Sequence, residues 1–151
     1  MSDIEELARR AQRTDTVVAV AESLTAGNLA ATIGAAEGAG EWFAGGVVAY
    51  RLETKHRVLG LAEGVDPCSA ACAEQLARAV RDLTAADLAV SVTGVGGPAP
   101  QDGHDAGTVY LGWSDSDATG HILLKYDGEP EEVIDASVSA AVGLLLDRMP
   151  H

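Results

Sequence analysis

The fold of this chain is decided by one stretch, Val17-Val18-Ala19-Val20-Ala21-Glu22-Ser23-Leu24-Thr25-Ala26-Gly27. Its first five residues are apolar and largely β-branched, which predicts a buried strand, and residues 28–33 predict a helix. Ser23 therefore lies at the carboxyl end of a strand and just ahead of a helix N-terminus. Open α/β sheets bind ligands at this place, and free backbone N–H groups there can hold an anion. The segment by itself favours a plainer interpretation, in which the Ser23 hydroxyl caps the helix by accepting a backbone N–H.

The size and composition of the chain indicate a globular protein. A chain of 151 residues, 47% of them apolar, can bury a core of its own, and we expect residues 1–151 to form a single domain. No apolar run is long enough to span a membrane. The acidic residues near the N-terminus do not fit a signal peptide. We therefore expect a cytoplasmic protein with no membrane partner.

The charge balance excludes one class of partner. The formal net charge is −13, and the chain has no cluster of basic residues with which to bind phosphates, so we expect no direct binding to nucleic acid. Lysine is scarce, with only Lys55 and Lys125 in the sequence. Evenly spread carboxylates with few lysines are typical of a surface adapted to high salt, and we hypothesise such a halophilic source.

The cysteines and histidines do not predict a metal site. Cys68 and Cys72 lie four residues apart and no second cysteine pair exists, so a metal centre would lack ligands. The four histidines show no ligand spacing. We expect the two cysteines to be small, buried, apolar residues.

Hydrophobic periodicity and turn residues predict ten elements in the order α-β-α-β-α-α-β-β-β-α. The predicted helices cover 4–13, 28–33, 52–59, a stretch from a Ser69 cap to about 83, and a last helix that starts at 129 with a proline in its first turn. The predicted strands end at 21, lie within 42–50, and cover 87–93, 108–113 and 121–126, the last two as a hairpin; 34–40 is predicted as a loop. This order indicates an α/β fold, a three-layer α/β/α domain with a mixed sheet.

Two further segments carry candidate chemistry. Tyr50 lies at a strand end and Lys55 in the following helix, where a lysine could act as a general base if burial lowered its pKa; alternatively Lys55 is a solvated residue paired with Glu53. The segment 91–98 is also a strand end followed by glycines, which allow close approach of a ligand and present N–H groups. Its alternative is an ordinary loop, and its glycine spacing matches neither a Walker loop nor a dinucleotide fingerprint.

Taken together, these segments resemble the CinA C-terminal domain family over nearly the whole chain. The family's Ala-Glu-Ser-x-Thr-Gly-Gly corresponds to Ala21-Glu22-Ser23-x-Thr25-x-Gly27. Its second block corresponds to Trp42-Phe43-x-x-Gly46-x-Val48-x-Tyr50 followed by Lys55. Its Ser/Thr-Gly-Ile-Ala-Gly-Pro and downstream Gly-Thr-Val correspond to Thr93-Gly94-Val95-Gly96-Gly97-Pro98 and Gly107-Thr108-Val109. Characterised members are amidohydrolases that deamidate nicotinamide mononucleotide, and this chain is similar to their stand-alone form.

The resemblance implies a role for each matching residue. Ser23 would be the nucleophile, Lys55 the base that takes its proton, and Tyr50 a residue that relays or orients that proton. Backbone N–H groups after Ser23 and in the segment 94–97 would stabilise the oxyanion, and the substrate phosphate would lie on the helix N-terminus near 25–28. No metal or organic cofactor is implied, and a homo-oligomer, with a dimer favoured, is expected. The substrate-binding residues that we infer in this way are Glu22, Leu24, Thr25, Gly27, Arg51, Thr93, Gly94, Gly96 and Gly97.

The chain also departs from the family pattern. Ala26 replaces a glycine, Arg51-Leu52 replaces Ser-Asn, and Ser69-Ala70 replaces Ser-Glu. The last helix of the family opens with Gly-Asp-Arg-x-x-Val-Arg, whereas here the segment 128–134 contains neither arginine. Two hypotheses stay open. One is an amidohydrolase acting on nicotinamide mononucleotide or on a related amide with less negative charge, in which Arg51 could replace the lost cations. The other is a non-catalytic CinA-like nucleotide-binding or assembly module.

Overall fold

The apolar run that decides the fold forms an inner strand of a mixed sheet. The computed structural model describes residues 1–151. Its five strands are β1 (Val18–Glu22), β2 (Phe43–Val48), β3 (Leu88–Gly94), β4 (Thr108–Ser114) and β5 (Thr119–Lys125), in the spatial order β2-β1-β3-β4-β5. Strand β1 is parallel to both its neighbours, whereas β4 is antiparallel to β3 and forms the predicted hairpin with β5.

Six helices cover the two faces of this sheet. They are α1 (Asp3–Thr14), α2 (Asn28–Gly34), α3 (Ala39–Trp42), α4 (Leu52–Leu59), α5 (Ala70–Thr84) and α6 (Pro130–Arg148). Helices α1, α2, α3 and α6 share one hydrophobic core, and α4 and α5 share the other. The predicted three-layer α/β/α fold with a mixed sheet is therefore confirmed.

Strand β1 explains why two cores can form. All five of its residues are buried, and successive side chains point to opposite faces of a sheet. Val18 and Val20 belong to the larger core under α1 and α6, while Ala19 and Ala21 belong to the smaller core under α5. The small alanines let the helix layer on their side pack close to the sheet.

The predicted element boundaries agree with the structure to within about two residues, with one correction. The predicted loop 34–40 contains the start of an extra short helix, α3, so the chain has eleven elements rather than ten. The reason is the packing of Trp42 in the larger core, where it is 2% exposed; its indole Nε1 also donates to the nearby Glu37 carbonyl at 3.2 Å. Four residues are too few for periodicity to reveal such a helix.

The predicted helix starts at 69 and 129 are confirmed in detail. The Ser69 Oγ accepts from the Cys72 N–H at 3.1 Å, and Glu129 caps α6, with Pro130 as its first residue. None of the helices combines the length and the apolar character that a membrane span requires.

Candidate active site

The carboxyl ends of β1, β2 and β3 meet at one edge of the sheet, and Ser23 lies between them. Its N–H donates to the Val92 carbonyl of β3 at 3.0 Å. On the other side, the Ala49 N–H that follows β2 donates to the Glu22 carbonyl at 2.9 Å. These two bonds fix the backbone of Ser23 where the parallel strands end, the place at which such sheets bind ligands.

The Ser23 hydroxyl contacts the amine of Lys55. Lys55 Nζ lies 3.1 Å from Ser23 Oγ and donates a second hydrogen bond to the Tyr50 carbonyl at 3.0 Å. Both side chains are buried, since Lys55 is 3% exposed and Ser23 7%. The alternative of a solvated Lys55 paired with Glu53 is therefore wrong; Glu53 pairs with Arg51 instead.

Burial changes the acidity of this lysine. Desolvation lowers the pKa of Lys55 from its ordinary value of 10.5, and the nearby Cys72 thiol opposes this effect. No carboxylate forms an ion pair with the amine. A buried amine without a counter-ion favours its neutral form, and a neutral amine 3.1 Å from a hydroxyl can accept its proton.

Tyr50 contacts Lys55 through its main chain. Its carbonyl accepts from Lys55 Nζ, while the residue is 66% exposed and its side chain lies at the rim of the site. The carbonyl thus positions the amine beside Ser23. Proton relay by the Tyr50 phenol stays a prediction.

The carboxylate of Glu22 caps helix α2 in place of the Ser23 hydroxyl. Glu22 is 1% exposed. It accepts hydrogen bonds from the Thr25 hydroxyl at 2.7 Å and from three backbone N–H groups, those of Gly27 at 3.2 Å, Leu29 at 2.8 Å and Ala30 at 2.9 Å. The expectation that Ser23 caps the helix is wrong, so its hydroxyl is available to Lys55.

The same contacts overturn a second expectation. The N–H groups at the start of α2 were expected to hold the substrate phosphate, but the Glu22 carboxylate already accepts from them. An added anion there would face a buried negative charge. Glu22, Thr25 and Gly27 therefore build the wall behind the nucleophile, and none of the three lines the cavity in front of it.

A cavity of about 310 Å³ opens in front of Ser23 and Lys55, within the range of small-molecule sites. A larger open groove of about 790 Å³ lies beside α1, but it holds no serine, lysine or histidine. The cavity is lined by eight of the residues singled out from the sequence, namely Ser23, Leu24, Tyr50, Lys55, Thr93, Gly94, Gly96 and Gly97.

Free backbone donors line this cavity. The N–H groups of Leu24, Gly96 and Gly97 form no hydrogen bond within the chain, and all three residues line the cavity. Thr93 supports the glycine segment, since its buried hydroxyl donates to the Pro67 carbonyl at 2.6 Å. The cavity wall thus contains N–H groups without an acceptor in the chain, the kind of donor that oxyanion stabilisation requires.

Arg51 does not lie in the cavity. Its side chain is 77% exposed and pairs with Glu53 at 3.2 Å on the surface, and it is absent from the cavity lining. In this structure it does not take the place of the arginines that the last helix lacks. The two positions where the family has those arginines are Pro130 and Ile134, and both line the cavity as apolar residues.

The cavity lining also includes His104, which the sequence did not single out. His104 Nε2 lies 2.7 Å from Asp66 Oδ2, and this pair joins the 94–107 segment to the chain before α5. Although burial acts in the opposite direction, the Cys68 N–H and His104 together hold the pKa of Asp66 below its ordinary value. The two residues lie 38 positions apart, so no local spacing could have predicted their contact.

The two cysteines are buried, as predicted. Cys68 is 6% exposed and Cys72 fully buried, and they form no disulfide. Burial raises the pKa of each thiol to about 11, so neither forms a thiolate nucleophile near neutral pH. Nowhere do three or more His, Cys, Asp or Glu side chains gather as metal ligands would.

Comparison with known proteins points to one family. A family model described as "CinA C-terminal domain" matches residues 2–149. A "Putative competence-damage inducible protein" of Bacillus velezensis is 40% identical over 116 residues, which are 74% of this chain and 28% of that protein. A protein of the same name from Geobacillus kaustophilus is 43% identical over 113 residues, 71% of this chain and 27% of that protein. The chain thus spans little more than a quarter of the length of these relatives.

Solved structures of CinA superfamily proteins match nearly the whole chain. A competence-damaged protein (CinA) superfamily protein from Escherichia coli matches with a TM-score of 0.92 and 27% identity, covering 95% of this chain and 87% of that one. A second superfamily member, from Klebsiella pneumoniae, matches with a TM-score of 0.92 and 28% identity, covering 97% of this chain and 94% of that one.

Proposed function

Because the chain belongs to the CinA C-terminal domain family, we propose that it is an amidohydrolase in which Ser23 attacks a carboxamide and Lys55 serves as the base. The observation that carries the proposal is the buried contact of 3.1 Å between Lys55 Nζ and Ser23 Oγ at the base of the cavity. A serine is a weak nucleophile unless an adjacent base takes its proton. Here the adjacent base is an amine whose pKa is lowered by burial.

The reaction proceeds in two halves. Neutral Lys55 takes the Ser23 proton as Oγ bonds to the carboxamide carbon, and the oxygen of the tetrahedral intermediate receives N–H donors from the cavity wall. Protonated Lys55 then gives its proton to the leaving nitrogen, so the C–N bond breaks and ammonia departs. Water next attacks the acyl-enzyme ester while Lys55 takes the water proton, and the carboxylic acid product leaves as Ser23 recovers its proton.

The first substrate to test is nicotinamide mononucleotide, the amide that the family resemblance implies. Its product would be nicotinic acid mononucleotide, with ammonia as the second product. The experiment is ammonia release by the wild-type protein and by Ser23→Ala, in dilute and in molar salt. Ser23-dependent release supports the proposal. Release by Ser23→Ala at the wild-type rate removes Ser23 from the nucleophile role.

The absence of arginine at positions 130 and 134, both of which line the cavity, favours a second candidate, a non-catalytic module that keeps the cavity for binding or assembly. Calorimetric titration of the wild-type protein with nicotinamide mononucleotide separates the two functions. Heat of binding without ammonia release, from protein shown to be folded by circular dichroism, would support the binding module. Turnover of any pyridine-nucleotide amide contradicts it.

A further inference from the structure

We infer that this cavity selects a carboxamide without a phosphate group, and in particular a pyridinium nucleoside amide over its 5′-phosphate. The inference rests on the proposed amidohydrolase function and concerns the substrate class of the same site. Its basis is the charge of the residues that line the cavity.

The cavity offers no free cation to a phosphate. The chain has eight arginines, and none of them lines it. Lys55 is 3% exposed and already donates to Ser23 Oγ and to the Tyr50 carbonyl, and as a general base it must be neutral. His104 is the other basic side chain in the lining, and its Nε2 already forms a hydrogen bond with the Asp66 carboxylate at 2.7 Å.

The part of the cavity wall that α6 forms is unfavourable for an anion. Pro130 and Ile134 give this wall two apolar side chains, which cannot replace the water around a phosphate dianion. The N-terminus of α6 is no substitute, because the Glu132 carboxylate already accepts from the Glu129 N–H at 3.0 Å and Glu131 also lies in its first turn. Asp102 adds a further carboxylate to the lining.

The remaining donors suit a smaller and less charged group. The free N–H groups of Leu24, Gly96 and Gly97 can bind the oxygen of a carboxamide as its charge develops. The formal net charge of −13 disfavours the approach of an anion and favours a cation. A pyridinium nucleoside carries one positive charge and no negative charge, whereas its 5′-phosphate adds a dianion that the cavity does not match.

The test compares two amides that differ only in the phosphate, nicotinamide riboside and nicotinamide mononucleotide. We expect kcat/KM for ammonia release from the riboside to exceed that from the mononucleotide by at least about tenfold, the effect of one well-placed charge contact. Equal or faster release from the mononucleotide overturns the inference.

Two arginine variants test whether the cavity wall causes the preference for the riboside. Ile134→Arg places a cation on the cavity wall and should move the ratio of the two kcat/KM values toward the mononucleotide by about tenfold. Ile122→Arg adds the same charge to an exposed site on β5, outside the cavity, and should leave the ratio unchanged. An equal shift in both variants would mean that overall charge rather than the cavity wall discriminates, and it would overturn the inference.

Binding to Ser23→Ala separates this inference from the proposed function. If neither amide is hydrolysed by the wild-type protein, the amidohydrolase proposal fails for these amides, and calorimetry on Ser23→Ala still decides the selectivity. Riboside binding with weaker or no mononucleotide binding supports the inference. Tighter or equal binding of the mononucleotide, or no binding of either at millimolar concentration, contradicts it.

Discussion

Lys55 is the residue whose environment most directly sets the chemistry of the site. It is buried without a carboxylate partner and lies between Ser23 Oγ and the Tyr50 carbonyl. Desolvation penalises its charged form, and this lowers its pKa. Burial of the charged lysine destabilises the fold, and the same burial favours the neutral amine that can act as a base.

The pH dependence of activity should follow this lysine. Because the neutral amine is the active form, kcat/KM should rise as pH increases through the pKa of Lys55, and that rise should lie below the ordinary value of 10.5. Initial rates measured over the pH range in which the protein stays folded test this. Lys55→Arg keeps a charge that is never lost and should show less than about 1% of wild-type activity. A pH-independent rate, or an active Lys55→Arg, would contradict the role of Lys55 as base.

Glu22 should contribute more to the free energy of unfolding than an exposed glutamate does. Glu22→Ala removes the acceptor of three backbone N–H groups and the Thr25 hydroxyl, all near a buried helix end. We expect a loss of about 2–4 kcal/mol in the free energy of unfolding, measured by urea denaturation. Glu63→Ala is the matched control, since it removes the same charge from a side chain that is 91% exposed. A loss as small as that of the control would show that the Glu22 cap contributes little.

The two thiols should be inert in the folded protein. Both cysteines are buried and the pKa of each is raised to about 11, so little thiolate forms near pH 8. A disulfide exchange reagent should therefore label neither thiol rapidly in the native protein and two thiols after denaturation. Rapid labelling of one thiol in the native state would show that the cavity exposes Cys68.

Helix α5 packs directly against strand β4. A Cβ at Gly112 would overlap the Ala73 carbonyl of α5, and the Ser91 hydroxyl of β3 donates to that same carbonyl. The absence of a side chain at 112 thus lets α5 lie directly against the sheet. This contact sets the position of the helix layer behind the active-site edge.

Two glycine-to-alanine changes test the contact. Gly112→Ala should lower the free energy of unfolding by about 1–3 kcal/mol, because the helix must move away from the sheet. Gly143→Ala in α6, where an added Cβ meets nothing within 4 Å, should instead raise it by about 0.5–1 kcal/mol through helix propensity. Urea denaturation of both variants measures the difference. Equal effects of the two changes would mean that α5 can shift without cost.

The sequence could predict most elements because their signals are local. The apolar run of β1, the Ser69 cap and the proline at the start of α6 each lie within a few residues, and each is confirmed. Contacts between distant residues could not be predicted in this way. The Asp66–His104 pair and the burial of Trp42, which fixes α3, depend on the assembled sheet.

The candidate site, too, could be predicted from the sequence only in part. Matching motifs correctly placed Ser23 and Lys55 in one cavity. They could not show that the Glu22 carboxylate occupies the helix end expected to bind phosphate, because a carboxylate beside a helix start can face either the chain or a ligand. They also could not show that Arg51 turns to the surface, since that depends on its pairing with Glu53.

At the scale of the whole molecule, acidic side chains outnumber basic ones, with 23 Asp and Glu against 10 Lys and Arg. The formal net charge is −13, while only four of the seven ion pairs join a carboxylate to an arginine. Both edge strands carry exposed large apolar side chains, Val48 on β2 and Ile122 and Leu123 on β5. These are surfaces on which an oligomer could form, and the homodimer stays a prediction.

Salt should stabilise the folded chain at neutral pH. Screening reduces the repulsion among its carboxylates, so the thermal midpoint should rise by several degrees between dilute and molar sodium chloride. The control is the same series near the isoelectric point of about 4.4, where net repulsion is small and the rise should be much smaller. A flat response at neutral pH would remove the hypothesis of a halophilic source.

The Glu22 cap has a consequence for how ligands enter. Since the carboxylate already satisfies the N–H groups at the start of α2, the backbone around Ser23 has its working geometry before any substrate arrives. Binding beside this helix start then costs less conformational entropy, because the carboxylate already fixes the backbone of residues 27–30. The interaction energy of the cavity can then distinguish one amide from another, since the Glu22 carboxylate already holds the backbone that follows the nucleophile.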